Sequence, residues 1–512
     1  MKRHPVVPPS RRTRLATATV AVLALISGCA NQLSHAELVR DAVGDQVPAA
    51  GGTPAVASAQ PGGTSIAVVP PTGSSANTTS TAAAPADAPK AVMPSTQAHG
   101  TSQLSAANSG AAAAKQRATA GAATAAVAGN PAPAAAYGNG ATRAAVCAGP
   151  KPPIVLGGLG QMTGVLGVAF VGGTHAIEAW IAMINASGGL DCHPVKYITA
   201  DDGGDPARNL ALARRLVEQD HVIAMLYDTA LLTSQASTSY LQGKGIPIVG
   251  QEGGELEATD SPIYFNHAPS GLPLIQFTEI AGARVAKAEG KTKVGTLTCQ
   301  EVSYCNTADN AWAELAPKLG LQLAYRGKAS LLNVDFTSQC LAAKNAGVQA
   351  LVLAFESTGI HRIAQSCASV GYKPLIVCTS VQSNPDFRTD ENLADVVIAQ
   401  PVHPWFLSDF PAIRQYQSVL RQWAPAVPID SASINGWTAA QLFARAGSAF
   451  AADTVTSEGI MKALWSIKDD DLGGLTYPLS FRADKPQAQQ RCGWVVRVTG
   501  GRFTSDGQRF CG

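Results

Sequence analysis

From Pro153 onward the chain alternates short apolar runs with helix-patterned segments, and that alternation limits the folds open to it. A first series of strands reads "PIVLG", "VKYITAD", "VIAMLY" and "IPIVG". Between the second and third lies "DPARNLALARRLVEQD", where Asp205 is placed to cap a helix and Pro206 suits its first turn. A second series starts after "SPIYFNH", with strands "KVGTLT", "LQLAYRG", "ALVLAF" and "PLIVCT" separated by further helices. Repeated strand–helix units imply parallel sheets covered on both faces. The span from Cys147 to Gly512, about 366 residues, exceeds the size at which one core keeps growing. The expected fold class is therefore α/β: two doubly wound parallel-sheet lobes joined by a hinge. Residues 147–270 form the expected first lobe and 271–400 the second. The helix-rich stretch 401–476 returns to the first lobe, and 477–512, with "YPLSF" and "GWVVRVTGGRF", supplies terminal strands mainly to the second.

The N-terminal portion is of another kind. Lys2, Arg3, Arg11, Arg12 and Arg14 precede the apolar run "LATATVAVLALI", then Ser27, Gly28 and Cys29. This is the layout of a secretory signal, and the run is too short for a comfortable membrane span. "LISGC" resembles a bacterial lipobox, which makes residues 1–29 a lipoprotein signal peptide and Cys29 the lipidated mature N-terminus. Residues 30–146 follow as a low-complexity, disordered tether, most biased from Val47 to Thr142 in Ala, Gly, Pro, Ser and Thr. Such a composition buries too little apolar surface to offset the entropy of ordering. The expected location is extracytoplasmic, lipid-anchored to the bacterial cell membrane.

Cysteine usage agrees with export. Beyond Cys29, the sequence holds Cys147, Cys192, Cys299, Cys305, Cys340, Cys367, Cys378, Cys492 and Cys511, with no CxxC pair and no zinc spacing. No metal site or cofactor is expected. In an oxidising compartment the cysteines read as disulfides with one left over. Proximity suggests Cys299–Cys305 across a loop and Cys492–Cys511 across the terminal hairpin. Cys340–Cys367 would join the helices flanking one strand, and Cys147–Cys192 would bracket the first strand–helix unit. Cys378, in an apolar strand, is the expected unpaired one. A net charge of +2 and a pI near 8.0, with no basic run interleaved with aromatics, argue against a nucleic-acid partner.

"GGLGQMTGVLG", Gly157 to Gly167, lies between strand and helix, where a dinucleotide fold would hold a pyrophosphate. Its spacing is G-x-G-x-x-x-G, one residue too long for that fingerprint. Taken with "IN-x-x-GG" at a helix end, "DD-x-x-DP" before the next helix and "LVEQDHV", the segment resembles the type I periplasmic binding proteins of the leucine/isoleucine/valine-binding family. The resemblance covers about Pro153 to Phe481. It implies a solute-binding protein whose cleft closes on a small polar solute (amino acid, amide, urea-like molecule or carboxylic acid) for an ABC importer. The implied partners are the ABC permease and its ATPase, with the lipid anchor on the membrane. A sensory or regulatory ligand-binding lipoprotein without a transport role is the alternative. An enzyme is not expected, since G-x-S-x-G, H-E-x-x-H and P-loop motifs are missing.

Ligands of parallel sheets bind beyond the carboxyl ends of strands, where helix N-termini point N–H groups outward. In the first lobe this nominates Gln161, Thr163, Phe170, Thr229, Thr233, Gln251, Glu252 and Gly253. In the second it nominates Tyr304, Glu356, Ser357 and Ser380. The resembled family places an acid near the position of Ser380 to meet a ligand amine. A serine cannot do that, so Glu356 substitutes or the ligand lacks an amine. Asp201, Asp202 and Asp205 lack calcium-loop spacing and are expected to be structural.

Overall fold

The computed structural model describes Cys147 and Gly149–Gly512; residues 1–146, including Cys29 and the 30–146 segment, lie outside the described residues. The first sheet contains β1 (Ile154–Gly160), β2 (Val195–Asp201), β3 (Ala224–Asp228), β4 (Ile248–Gln251) and β5 (Tyr264–Phe265), all parallel, in the order β2-β1-β3-β4-β5. Helices α1 (Gly164–Ala186), α2 (Pro206–Glu218) and α3 (Ser234–Gly243) connect its strands. The second sheet runs β7 (Gln322–Ala329), β6 (Lys293–Cys299), β8 (Ala350–Ala354), β9 (Leu375–Thr379) and β10 (Val397–Gln400), also parallel. It is covered by α4 (Leu272–Ala288), α5 (Ser303–Lys318), α6 (Thr337–Asn345) and α7 (Ser357–Ser369). Strands β3, β4, β8, β9 and β10 are buried along their whole length, as expected of parallel strands with helices on both faces.

After β10 the chain leaves the second sheet for α8 (Pro411–Trp423), α9 (Ser431–Ala444), α10 (Gly447–Phe450) and α11 (Ser457–Trp465). Helix α9 packs on α1, β3 and β4, and α8 packs on α1. The chain then comes back to the second sheet, where β11 (Cys492–Thr499) pairs antiparallel with β10, β12 (Arg502–Thr504) and β13 (Phe510–Cys511). The stretch "YPLSF" is not a strand: it forms one isolated bridge, Asp470 to Leu479, and Phe481 stacks on Phe265 of β5 at 5.1 Å. Strand β10 was not separated in the sequence from the apolar residues around it. Among the described residues no helix is long and apolar enough to cross a membrane.

The glycine-rich run holds the main surprise. Sequence patterning leaves "GVLG" in the loop, yet α1 starts at Gly164 and includes Gly167, Gly172 and Gly173. Glycine is a poor helix former, so packing has to justify it. A methyl group on Gly173 would overlap the Tyr227 ring, and one on Gly436 of α9 would overlap the Gly173 carbonyl. The glycines let α1, α9 and the β3 tyrosine approach more closely than any side chain would allow. His175 is accordingly an exposed mid-helix residue.

Among the described residues four disulfides form: Cys147–Cys192, Cys299–Cys305, Cys340–Cys367 and Cys492–Cys511. Cys378 is free and buried in β9. Cys340–Cys367 joins α6 to α7 on either side of β8, and Cys492 and Cys511 are direct register partners on β11 and β13.

Gly436→Ala is expected to lower stability by about 1–3 kcal/mol through overpacking. Gly447→Ala, whose added methyl meets nothing within 4 Å, should change it by less than about 0.5 kcal/mol. Denaturant unfolding of the two variants beside the parent checks the contrast.

Candidate functional site

The carboxyl ends of both sheets carry the nominated residues. In the first sheet, β1, β3 and β4 end at Gly160, Asp228 and Gln251, followed by Gln161, Thr229 and Glu252–Gly253. In the second, β6, β8 and β9 end at Cys299, Ala354 and Thr379, with Tyr304, Glu356–Ser357 and Ser380 just beyond. The two rows meet. Residues 380–382 touch α1 and α9, and Val381 Cγ1 lies 3.9 Å from where a Cβ on Gly253 would sit. At the end of β10, Gln400 Oε1 accepts a hydrogen bond from Ser431 Oγ of α9 at 3.3 Å.

Four of the nominated residues bring buried polar atoms without a partner to this region: Gln161 Oε1, Gln251 Oε1, Glu252 Oε1 and Ser380 Oγ. Each residue is no more than 2 % exposed. Buried polar atoms are nearly always satisfied, so unpaired ones gathered at strand ends mark a place for a ligand or ordered water. The other oxygen of Glu252 accepts the Tyr227 hydroxyl. Burial, with Asp430 adding to it, pushes the Glu252 carboxyl well above its ordinary range. The protonated acid has an O–H to donate. Burial also drives His267 down to about 4, so its imidazole is neutral near pH 7.

Other nominated residues are already occupied. Thr233 Oγ1 donates to Asp202 Oδ2 at 2.6 Å and accepts from Gln161 Nε2 at 3.1 Å and Asn209 Nδ2 at 3.2 Å. It stands at the start of α3 but makes no capping bond. Thr163 is exposed and gives its hydroxyl to Asp201 Oδ2 at 2.5 Å. Glu356, nominated to meet a ligand amine, instead caps α7: Oε1 and Oε2 accept the Gly359 and Thr358 amides at 2.8 and 2.5 Å. A carboxylate at a helix N-terminus is well stabilised there, which leaves Glu356 no role as a free counter-ion. Ser357 is the first residue of that helix. Gly253, at φ 68°, uses its carbonyl to hold the Gly271 amide at 2.8 Å. Thr229 pairs through its backbone with Leu159 and Gln161, and Phe170 is buried on α1. The aspartates are structural: Asp201 and Asp202 tie loop amides and Thr233, while Asp205 accepts the Arg208 amide to cap α2.

Tyr304 faces a separate cavity of about 20 Å³ under the second-sheet strand ends, shared with Thr278, Thr298 and Gln382. That volume suits about one water, not a solute. Thr298 Oγ1 beside it has no partner.

Sequence reasoning missed Tyr227, Asp228 and Glu255. Tyr227 sits in β3 at φ 61°, a strained value for an aromatic residue, and braces Glu252. Both Asp228 carboxyl oxygens are buried without partners, while Glu255 Oε1 accepts the Ala230 amide at 3.0 Å. Burial first, then neighbouring acids, raises both carboxyls well above their usual range. An acid closing an apolar strand just before a helix was the available signal.

A family model described as "Periplasmic binding protein" matches residues 153–507. The chain belongs to that family. Solved structures with the same fold include a fatty acid ABC transporter substrate-binding protein from Thermomonospora curvata, at 22% identity, 71% of this chain and 94% of that one, TM-score 0.59. A branched-chain amino acid ABC transporter protein from Thermus thermophilus with bound valine aligns at 18% identity, 71% and 97% coverage and TM-score 0.62. A solute-binding protein from R. palustris in complex with benzoate aligns at 14% identity, 69% and 96% coverage and TM-score 0.59. No curated protein matches by sequence. As a periplasmic binding protein this is an extracytoplasmic, solute-binding molecule. Among its described residues no group of three or more His, Cys, Asp or Glu is placed to hold a metal ion.

One further buried acid of the binding protein lies near Tyr304. Both Glu279 oxygens, on the buried face of α4, lack partners, and burial, with Glu314 adding to it, lifts the carboxyl to about 8. The folded state therefore holds this proton more tightly than the unfolded chain. Its stabilising effect is complete below the unfolded value near 4.5 and is lost as pH rises through about 8. Over that window stability should fall by at most about 1.4 kcal/mol per pH unit. Glu279→Gln should flatten the fall, as read from denaturant midpoints between pH 5 and 9.

Proposed function

We propose that this periplasmic binding protein is the solute-capturing lipoprotein of an ABC importer, anchored through Cys29 and carrying its lobes outward on the 30–146 tether. It closes on a small polar solute of the amide, urea-like, amino-acid or carboxylic-acid class and presents the closed form to a permease and its ATPase. The observation that carries this reading is that unpaired, buried polar atoms stand at the strand ends of both lobes, Gln161, Gln251 and Glu252 on one side and Ser380 on the other, where Val381 approaches Gly253. A solute touching both sets makes its full complement of hydrogen bonds only when the lobes are together, so binding shifts the population toward closure. Neutral members of the class are favoured, because burial biases Glu252 toward its neutral form and keeps His267 uncharged near pH 7, so they offer dipoles rather than full charges. The lining is built for binding rather than turnover. The valine, fatty-acid and benzoate proteins of the same fold set the range of solutes to try.

The test is a thermal-shift screen of the protein with acetamide, urea, L-valine and benzoate, extended to related amides and acids. A specific solute at a hundred times its dissociation constant should add about 2.7 kcal/mol of stability. Ser380→Ala and Glu252→Gln should each weaken that solute about tenfold, the size of one buried hydrogen bond. A screen in which no small polar solute raises the melting temperature overturns the reading. The anchor has its own check: Cys29→Ser should move the protein from the membrane fraction to the soluble one and remove the lipid mass from its N-terminal peptide.

A further inference from the structure

Beside the segment that crosses from β10 to α8 is a cavity of about 400 Å³, within the range of small-molecule sites. Its walls come from both lobes. Arg388 and Arg502 belong to the second-sheet side, on the turn 385–388 and on β12, while Arg421 reaches in from α8, which packs on α1. Asp and Glu are missing from its lining. Arg421 and Arg502 make no ion pair among the described residues. Arg388 spends only Nε, on the Pro385 carbonyl at 3.0 Å, and lies over the Phe503 ring at 5.8 Å. Asp409, the acid nearest in the crossing segment, lies 3.2 Å from His403.

The rest of the wall is aromatic. Trp405 meets Phe503 edge-on at 4.9 Å and Phe406 at 5.4 Å, and Phe406 stacks near Phe503 at 21°. The crossing segment is fixed against α8 by Gln417, whose Nε2 donates to the Trp405 and Leu407 carbonyls at 2.8 and 2.7 Å. Three guanidinium groups gathered without a counter-charge repel one another, and each retains donors in a fork suited to carboxylate, phosphate or sulfonate oxygens. The rings beside them supply apolar aromatic surface, with Phe406 and Phe503 nearly parallel.

We propose that this cavity is a second ligand site, separate from the inter-lobe cleft, for a small organic anion with a planar apolar body. The anionic head lies among Arg388, Arg421 and Arg502, and the body lies on Trp405, Phe406 and Phe503.

Calorimetric titration of the full-length protein with naphthalene-2-sulfonate, with inorganic sulfate as the bare-anion comparison, tests it. The sulfonate should bind saturably, with a dissociation constant of about 1 mM or tighter, and at least about tenfold more tightly than sulfate. Arg421→Gln and Arg502→Gln, both exposed side chains whose loss leaves the fold intact, should each weaken it about tenfold. Ser380→Ala, in the cleft, should leave it unchanged. Failure of the sulfonate to bind, equal affinity for sulfate, wild-type affinity in both arginine variants, or loss of binding in Ser380→Ala each overturns the proposal.

Discussion

The near contact of α1 with α9 is the constraint on which the remainder of this molecule rests. Helix α9 is made after the second sheet, yet it packs on the helix that follows β1. To reach it the chain leaves β10 for α8 and later returns to β11, and these passages, with the earlier one from β5 to α4, join the two bodies. The contact depends on missing side chains: Gly173 accommodates the Tyr227 ring on one side and Gly436 on the other. A core this close loses more from one added methyl than the weak helix propensity of several glycines costs. The same contact positions the start of α9 over the strand ends and so forms one wall of the cleft.

The polar interior of the first lobe divides into a closed part and an open part. Asp202 is the centre of the closed part. It accepts bonds from Gly204, Asn209 and Thr233, and Thr233 in turn accepts from Gln161. That network fixes the loop after β1 against the loop after β2. The open part begins at the other atom of the same amide: Gln161 Oε1 has no partner, and neither do Gln251 Oε1 and Glu252 Oε1. An unpaired buried polar atom costs about 1–3 kcal/mol, so a cluster of them is retained only where something else completes it.

Features governed by local chemistry were legible in the sequence. The cap at Asp205 with Pro206 beside it, the alternating strands and helices, and all four disulfides follow from neighbours in the chain or from units it visibly repeats. What depended on distant packing was not. "GVLGVAFVGG" reads as loop because its reason for being helical lies at Tyr227 and Gly436, some 50 and 260 residues away. Glu356 read as a free acid because only the structure shows the α7 amides it caps. Of the nominated site residues, the ones found with free polar atoms were Gln251, at a strand end, and Gln161, Glu252 and Ser380, each directly after one; Thr229, also directly after a strand, is instead tied in by its backbone. Those a few residues further on, such as Thr163 and Thr233, had been recruited by the aspartate loops.

The chemistry left in the cleft narrows what it favours. A zwitterion entering it would shed the hydration of an ammonium and a carboxylate together, and each loss costs several kcal/mol unless an opposite charge meets it. Glu356 accepts the amides of a helix terminus, and Ser380 carries no charge to meet an ammonium. Glu252 is biased toward its neutral form by its burial. Dipoles in fixed positions can pair an amide or an undissociated acid group for group at no such desolvation penalty. On the proposed function, selectivity comes from matching donors to acceptors on both lobes at once, and closure of the lobes would be the step that makes the match.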